Sequence, residues 1–407
     1  MEVNLRLAKI IAVAFLVPAL VFGQVAGAAE QLKPVKVVLL YNGTGAMASI
    51  DEPSYKGSML AAKLINSKGS IIDGRKLELI PIDTYSDMGK VISAASKEEN
   101  KTDVAAAIGY GDSSFVISAA SSFVHDGIPF ITPGATLPTL FQMVGDRLFM
   151  VAYGDDAQAQ AMADYTYNTL KIKKLAVWTD TSMAFTLALS DSFKKRYTES
   201  GGTIIYEDMF ISGMPTPPDF SHMAGKLTAN EPKPDAVFIS AVPEEAALAV
   251  KKLRNSGINI PILSGDGFDS QLVIKAATAK PITDVYFTTH SYRGDNRPEV
   301  ASFINAYKKE YGIVPEDAFA ALGYDAVNVL ADAIKRAGSA DKAAIAKALS
   351  QTKDFKAVTG TITMRQNMPP LKSIAIIEIK DGTYVVKDTW DPIKAIRSQQ
   401  KAVPFDY

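Results

Sequence analysis

The apolar run VKVVLL at residues 35–40, followed by YKGSMLAAKLI at residues 55–65, decides the fold. The first stretch is almost continuously apolar, which is typical of a strand buried on both faces of a parallel sheet. The second stretch repeats its apolar residues at helical spacing. A strand followed directly by a helix is the building unit of parallel α/β sheets. The sequence therefore predicts an α/β fold from this point onward.

The same strand-then-helix pattern recurs in two series of similar length. In the first series, we predict strands at residues 76–82, 104–108 and 129–132 and helices at residues 91–100 and 114–125. In the second series, we predict helices at residues 155–170, 183–200, 219–229 and 243–256 and strands at residues 174–178, 203–210, 236–240 and 261–263. Alternating elements of this kind form parallel sheets through right-handed crossovers.

The last part of the chain has a different pattern. Helical periodicity covers residues 297–311, 318–337 and 341–350, and two strand-like segments, residues 373–379 and 383–387, flank Asp381-Gly382. Asp-Gly between two such segments is a strong hairpin signal. We therefore predict two doubly wound, Rossmann-like lobes. A single (β/α)₈ barrel is the alternative, which fits the length but not this tail.

The first residues are typical of a secretory signal peptide. Arg6 and Lys9 precede an apolar run at residues 10–22, and the small residues Ala26-Gly27-Ala28-Ala29 follow. This apolar run is shorter than the about 20 residues that span a bilayer. We predict a cleaved leader at residues 1–29, with an uncleaved membrane anchor as the alternative.

Composition excludes several classes of function. The chain has no cysteine, so thiolate metal sites and cysteine nucleophiles are excluded. Its histidines, His125, His222 and His290, match no zinc spacing and are interpreted as surface or loop residues. The formal net charge of -1 gives no electrostatic reason to bind nucleic acid or an anionic membrane. We expect neither a metal nor a cofactor.

Catalytic motifs are missing from the sequence. There is no phosphate-binding loop, no H-E-x-x-H motif and no complete G-x-S-x-G elbow, and the Gly43-Thr44-Gly45 segment lacks the third glycine of a dinucleotide site. An exported hydrolase using Asp155 or Asp266 stays as a competing hypothesis, although it lacks a base paired with a nucleophile. We predict that the protein is not an enzyme.

Three polar loops follow predicted strands, at the sheet edge where open α/β sheets bind ligands. The first leads through Asp112 to Ser113 at a helix start, where backbone N–H groups and a hydroxyl suit a carboxylate. The second contains Gly134 and Thr136, and the third places Asp266 between two glycines, where it could face an ammonium group. A plain helix cap, an ordinary turn and a turn aspartate are the respective alternatives. Together the loops predict a zwitterion held between two lobes.

Five segments, in this order and spacing, resemble one family. They are Tyr55-Lys56-Gly57, Ile108-Gly109 with Ser113-Ser114, the segment ITPGAT at residues 131–136, Asp219-Phe220-Ser221, and Gly265-Asp266-Gly267-Phe268. With these segments the chain resembles the leucine/isoleucine/valine-binding proteins, which are type I periplasmic substrate-binding proteins of ABC transporters. The resemblance covers nearly the whole chain after the leader.

The resemblance implies roles for particular residues. Ser113 and Thr136 would bind the α-carboxylate of an amino acid. The carbonyl of Gly134 and the side chain of Asp266 would receive its α-ammonium group. Asp155 would be an acid in the cleft.

Other positions imply a modified side-chain pocket. Asp156 competes with Asp155 for the place of the cleft acid. Phe185 stands beside the place where the family often has a tyrosine, and Ile50 lies on the first loop, where a bulky contact is usual. Asp112 adds an acid close to the carboxylate site. The amino-acid frame is thus kept while the pocket differs.

The resemblance also implies the domain organisation and the partners. Lobe 1 would comprise residues 33–153 and 289–358, and lobe 2 residues 154–288 and 359–397, with three crossovers as the hinge. We expect a periplasmic monomer that binds a small branched-chain or aliphatic amino acid and delivers it to a membrane permease. An aromatic carboxylate, an amide or a urea-like ligand is the alternative.

Overall fold

Two open β-sheets surrounded by helices, together with a separate two-stranded sheet, form the described part of the chain. The computed structural model describes residues 32–214, 216–229, 231–276, 278 and 280–395. The predicted leader at residues 1–29 lies outside the described residues. The two sheets belong to one compact unit that starts at Lys33, so the boundaries of the two lobes stay a prediction.

The strands and helices alternate over most of this length. The strands are β1 (Val35–Tyr41), β2 (Leu77–Asp83), β3 (Val104–Gly109), β4 (Phe130–Thr132), β5 (Leu148–Met150), β6 (Lys174–Asp180), β7 (Thr203–Phe210), β8 (Ala236–Ser240), β9 (Ile262–Ser264), β10 (Val285–Thr289), β11 (Phe355–Ala357), β12 (Gly360–Ile362), β13 (Ile374–Lys380) and β14 (Thr383–Trp390). The α-helices are α1 (Ala48–Ser67), α2 (Met88–Ser96), α3 (Ser113–His125), α4 (Leu140–Val144), α5 (Asp155–Asp164), α6 (Ala184–Glu199), α7 (Ser221–Ala229), α8 (Pro243–Asn255), α9 (Gln271–Ile274), α10 (Pro298–Tyr311), α11 (Phe319–Ala337) and α12 (Lys342–Ser350).

Both sheets repeat one strand order. The first sheet has the order β2-β1-β3-β4-β5, and all its pairs are parallel. The second sheet contains the corresponding parallel series β7-β6-β8-β9-β10, extended by the antiparallel strands β13 and β14. In each sheet the order reverses between two neighbouring strands, β1 and β3 or β6 and β8. Loops at the carboxyl ends of such neighbours diverge and leave a crevice.

The chain passes between the two sheets three times. It leaves the first sheet after β5 and enters the second at β6. After β10 it returns to helices α10, α11 and α12, which contact α1 or β3 of the first sheet. It then enters the second sheet again at β13. The predicted α/β class with two doubly wound sheets is confirmed, and the barrel alternative is wrong.

The hairpin at the end of the chain follows its turn chemistry. Strands β13 and β14 pair antiparallel around Asp381 and Gly382. Both turn residues have positive φ angles, 50° and 71°. A two-residue turn with positive φ at both positions matches the right-handed twist of the flanking strands. The predicted hairpin is therefore confirmed.

Several predicted bounds differ from the structure. Helix α1 starts at Ala48 rather than at residue 55, and Pro53 lies inside it. Burial of Ile50 and Asp51 in its first turns outweighs the low helix propensity of proline. The predicted helix at residues 155–170 ends as α5 at Asp164, and a π-helical turn at Tyr165–Thr169 continues it.

Membrane and metal features were searched within the described ranges. No helix in this part of the chain is long and apolar enough to cross a membrane. Within the same residues, no group of His, Cys, Asp and Glu side chains could hold a metal ion.

Candidate ligand-binding site

The first predicted loop ends in a helix cap. Asp112 is the N-cap of α3, and its Oδ1 accepts the N–H groups of Ser114 at 2.8 Å and Phe115 at 3.3 Å. The carboxyl is buried, and burial raises its pKa while the surrounding N–H donors oppose that rise. Asp112 thus fixes the start of α3 and aligns the neighbouring Ser113. Direct contact between Asp112 and a ligand stays a prediction.

The first and second predicted loops lie against each other. The Oγ of Ser113 accepts the N–H of Leu137 at 3.3 Å, next to Thr136. A Cβ atom at Gly134 would lie 3.1 Å from the Cα of Gly111, so glycine allows the two loops to approach closely. The structure therefore brings Ser113, Gly134 and Thr136 together, and all three are buried.

Asp51 ties the first loop to the segment that follows β1, and the sequence did not indicate this residue. Its carboxylate accepts the N–H of Gly111 at 2.8 Å and both the N–H and Nδ2 of Asn42, at 3.1 and 2.7 Å. Burial raises the pKa of Asp51 to about 7, against the effect of these donors. Ile50 packs on the same loop, because a Cβ at Gly111 would lie 2.2 Å from its Cγ2.

The third predicted loop meets the second through α5. Asp155, the first residue of α5, donates its N–H to the carbonyl of Thr136 at 2.8 Å. Gln158 lies one turn further, and its Nε2 donates to Oδ1 of Asp155 and to Oδ1 of Asp266, at 2.9 Å each. The Oε1 of Gln158 accepts the N–H of Asp266 at 3.0 Å. Hydrogen bonds thus join the two predicted acids through one amide.

His290 completes this group of residues. It lies in the loop directly after β10, so the loop interpretation holds, but it is not a surface residue. Only 4% of its surface is exposed. Its Nε2 lies 2.9 Å from Oδ2 of Asp266, and its ring stacks on Tyr153 with the ring centroids 3.7 Å apart. Burial lowers the pKa of His290, while Asp266 opposes this change. The histidine is buried because its partners, which come from distant parts of the chain, supply a hydrogen bond and a stacking surface.

Phe185 lies on the other side of the third loop. A Cβ at Gly267 would lie 2.3 Å from the carbonyl oxygen of Ala241 and 3.3 Å from Cε1 of Phe185. The N–H of Ala184 donates to Oγ of Ser114 at 3.3 Å, which joins the starts of α6 and α3. The loops of both sheets therefore meet at the predicted site.

The eight predicted site residues thus occupy one continuous region, at the carboxyl ends of strands in both sheets. Gln158 and Asp51 were missed. Gln158 lies three residues after Asp155, so a shared helix face could have indicated it. Nothing in the sequence pattern around Asp51 or His290 pointed to burial.

The chain matches a family model over most of its length. The model is described as periplasmic binding protein, and it matches residues 34–383. The chain belongs to the periplasmic binding protein family. The predicted family is therefore confirmed, and with it the type I fold.

Named relatives and solved structures agree with this family. The Leu/Ile/Val-binding protein homolog 1 of Brucella suis is 29% identical over 328 residues, which cover 80% of this chain and 85% of that relative. The branched-chain amino acid substrate-binding protein LivJ of Streptococcus pneumoniae, solved with isoleucine, is 27% identical with a TM-score of 0.81 and covers 88% of this chain and 100% of its own. The leucine-binding protein LivK of Thermotoga maritima is 30% identical, also with a TM-score of 0.81, over 88% of this chain and 99% of its own.

A more distant structure has the same fold with another ligand. A solute-binding protein of R. palustris, solved with benzoate, is 21% identical with a TM-score of 0.78, and covers 88% of this chain and 97% of its own. This likeness shows the fold alone.

Proposed function

We propose that this chain is an extracytoplasmic solute-binding protein of an ABC transporter that binds a small aliphatic amino acid. The ligand would lie between the loops of the two sheets, and the closed protein would deliver it to a membrane permease. The observation that carries the proposal is that Ser113, at the start of α3, and the buried acids Asp155 and Asp266 belong to one hydrogen-bonded network. Relatives named as Leu/Ile/Val-binding proteins support the choice of ligand.

Each end of an amino acid has a matching group in this site. Ser113 and Thr136 supply hydroxyl groups at the start of α3 and on the second loop, which suit a carboxylate. Asp155 and Asp266 are both buried and supply negative charge for an ammonium group. Phe185 and Ile50 would contact the aliphatic side chain.

Two residues on α3 provide a matched test of the carboxylate end. Ser113→Ala removes a buried hydroxyl and should weaken L-leucine binding at least tenfold, since a hydrogen bond to a charged group contributes about 1.5–3 kcal/mol. Ser121→Ala removes an exposed hydroxyl from the same helix and should leave binding unchanged. Calorimetry on both variants measures this difference. Equal affinities for the two variants would contradict the assignment of Ser113.

The alternative ligand is an aromatic carboxylate or an amide. One observation favours it. Both oxygens of Asp266 already have protein partners, so this carboxylate does not need an ammonium group from the ligand. A thermal-shift screen of amino acids against benzoates and amides separates the two classes. A ligand at 100 times its Kd should stabilise the folded protein by about 2.7 kcal/mol.

We also propose that the chain is exported to the periplasm and that residues 1–29 are removed as a leader. The basic start, the short apolar run and the small residues before Glu30 support this. Mass spectrometry of the protein released from the periplasm tests it. A mass that includes residues 1–29 would contradict the proposal.

A further inference from the structure

A cluster of buried polar side chains lies where α5, the third predicted loop and the second crossover meet. It consists of Asp155, Gln158, Asp266, His290 and Tyr153, and each of these residues is buried. Gln158 holds both carboxylates, and the Oε1 of Gln158 is itself fixed by the hydroxyl of Thr288 at 2.7 Å. The cluster is therefore rigidly built.

Three atoms of this cluster have no hydrogen-bond partner. They are Oδ2 of Asp155, Nδ1 of His290 and the hydroxyl oxygen of Tyr153. Thr136 lies near enough to Asp155, and Thr288 near enough to Tyr153, to oppose the rise in the pKa of each. Neither Oδ2 of Asp155 nor the Tyr153 hydroxyl forms a bond of full hydrogen-bond geometry. Buried polar atoms are nearly always hydrogen-bonded. The cluster thus has unused capacity for a polar ligand group.

The charge of the cluster indicates the kind of group. Among the described residues, no Lys or Arg forms an ion pair with Asp155 or Asp266; His290 is the partner of Asp266. Burial, and then the charge of Asp266, raises the pKa of Asp155 well above its ordinary value. Burial and the neighbouring charge therefore favour a proton on the cluster, in the place of a missing cation.

We propose that binding of the ligand's cationic group at Oδ2 of Asp155, beside Asp266, displaces a proton from this cluster to solvent, and that Gln158 and His290 position the two carboxylates. The inference rests on the proposed function, because it assigns the ligand's ammonium group to this place. It adds a dependence of affinity on pH and positioning roles for Gln158 and His290.

The sign of this dependence follows from the charges near the cluster. The ammonium group favours the deprotonated form of Asp155, so affinity for an amino acid should rise as pH rises. Protonated His290 would compete with the ammonium group for Asp266, which gives the same sign. Three other charged groups face the cluster. Asp156 favours retention of the proton on Asp155, and Asp269 favours retention of the proton on Tyr153. Lys372 favours loss of the proton from His290.

The test is calorimetry with the full mature chain and L-leucine from pH 6 to 8, in phosphate and in Tris, which release different heats on protonation. Affinity should increase with pH by at most about tenfold per unit for each displaced proton. The measured enthalpy should differ between the two buffers. Leucine without its amino group, 4-methylpentanoate, should bind more weakly and show no difference between buffers.

Two neighbouring acids on α5 provide the matched variants. Asp155→Asn should weaken L-leucine binding and abolish the buffer difference. Asp156→Asn, at an exposed position, should preserve binding and the buffer difference and move the midpoint of the pH dependence only slightly to lower pH, because it removes a charge that favours the proton on Asp155. His290→Asn keeps a donor but does not titrate, so it should shift the midpoint of the pH dependence. An unchanged midpoint would leave His290 without a positioning role.

The outcomes separate this inference from the proposed function. If wild-type protein binds L-leucine with the same affinity across this pH range and the same enthalpy in both buffers, the inference is wrong and the proposed function stands. If benzoate binds and L-leucine does not, both are wrong. The wild-type measurement requires no variant, so a variant that fails to fold does not affect it.

Discussion

Replacing Gly57 by alanine should destabilise the protein strongly, because two helices touch through this glycine. Gly57 lies in α1, and a Cβ at this position would lie 1.9 Å from the carbonyl oxygen of Ala320 in α11. The reverse contact is as close, since a Cβ at Gly323 would lie 1.9 Å from the carbonyl oxygen of Ser54. The hydroxyl of Ser58 also donates to the carbonyl of Gly323 at 3.0 Å.

The size of the effect follows from these contacts. The new methyl group meets a backbone carbonyl rather than a flexible side chain, so the helices must separate by more than about 1 Å. Overpacking of this kind costs about 1–3 kcal/mol, while alanine regains at most about 1 kcal/mol of helix propensity. Because the three atoms nearest to the new Cβ are all backbone atoms, we expect a net loss of about 2 kcal/mol in the free energy of unfolding.

Urea unfolding followed by far-ultraviolet circular dichroism measures this loss. The matched control is Gly225→Ala in α7, where a Cβ would have no atom within 4 Å. This exposed position should gain about 0.5–1 kcal/mol. If Gly57→Ala is neutral or stabilising like the control, the close approach of α1 and α11 is wrong. The contact matters for the site because Phe319, the first residue of α11, lies 3.3 Å from a Cβ built at Gly134.

Three further predictions concern a buried acid, a buried lysine and the third loop. Asp51→Ala should lower the free energy of unfolding by about 3 kcal/mol, because it leaves three donors unpaired, two of them buried and one half-buried. Replacing the exposed neighbour, Glu52→Ala, should change it by less than about 0.5 kcal/mol in the same urea assay. Burial lowers the pKa of Lys372 from 10.5 to about 7. Between pH 7 and 10.5 the unfolded chain holds a proton on this lysine that the folded chain has lost. The free energy of unfolding should therefore rise with pH by up to about 1.4 kcal/mol per pH unit. Lys372→Met should remove this rise, which urea titrations at pH 7 to 9 measure. Gly267→Ala should weaken ligand binding in calorimetry, because its Cβ would lie 2.3 Å from the carbonyl oxygen of Ala241 and displace the loop; an unchanged affinity would exclude this loop from the site.

Local pattern predicted most of the fold. Strands β7 and β8 have the predicted bounds, since a continuous or alternating apolar run between turn residues is a local signal. Strand β10 (Val285–Thr289) and the short edge strand β5 (Leu148–Met150) were missed. A run of three to five residues is too short to show a period, and these strands form because a neighbouring strand supplies their hydrogen bonds.

The site was predictable where the chain has strong turn chemistry or family motifs, as at Ser113, Gly134 and Asp266. The environment of these residues was not predictable. His290 is buried because Tyr153 and Asp266, both distant in sequence, pack against it. Gln158 gains its role only when α5 meets the third loop. Such tertiary partners leave no periodic signal in the sequence.

A crystal structure with the amino acid that stabilises the protein most in the ligand screen tests the central claim most directly. We predict a ligand carboxylate within about 3 Å of Ser113 and Thr136 and a ligand ammonium group at the same distance from Asp155 or Asp266. A ligand bound away from these residues, or oriented with its carboxylate toward the two acids, would contradict the account.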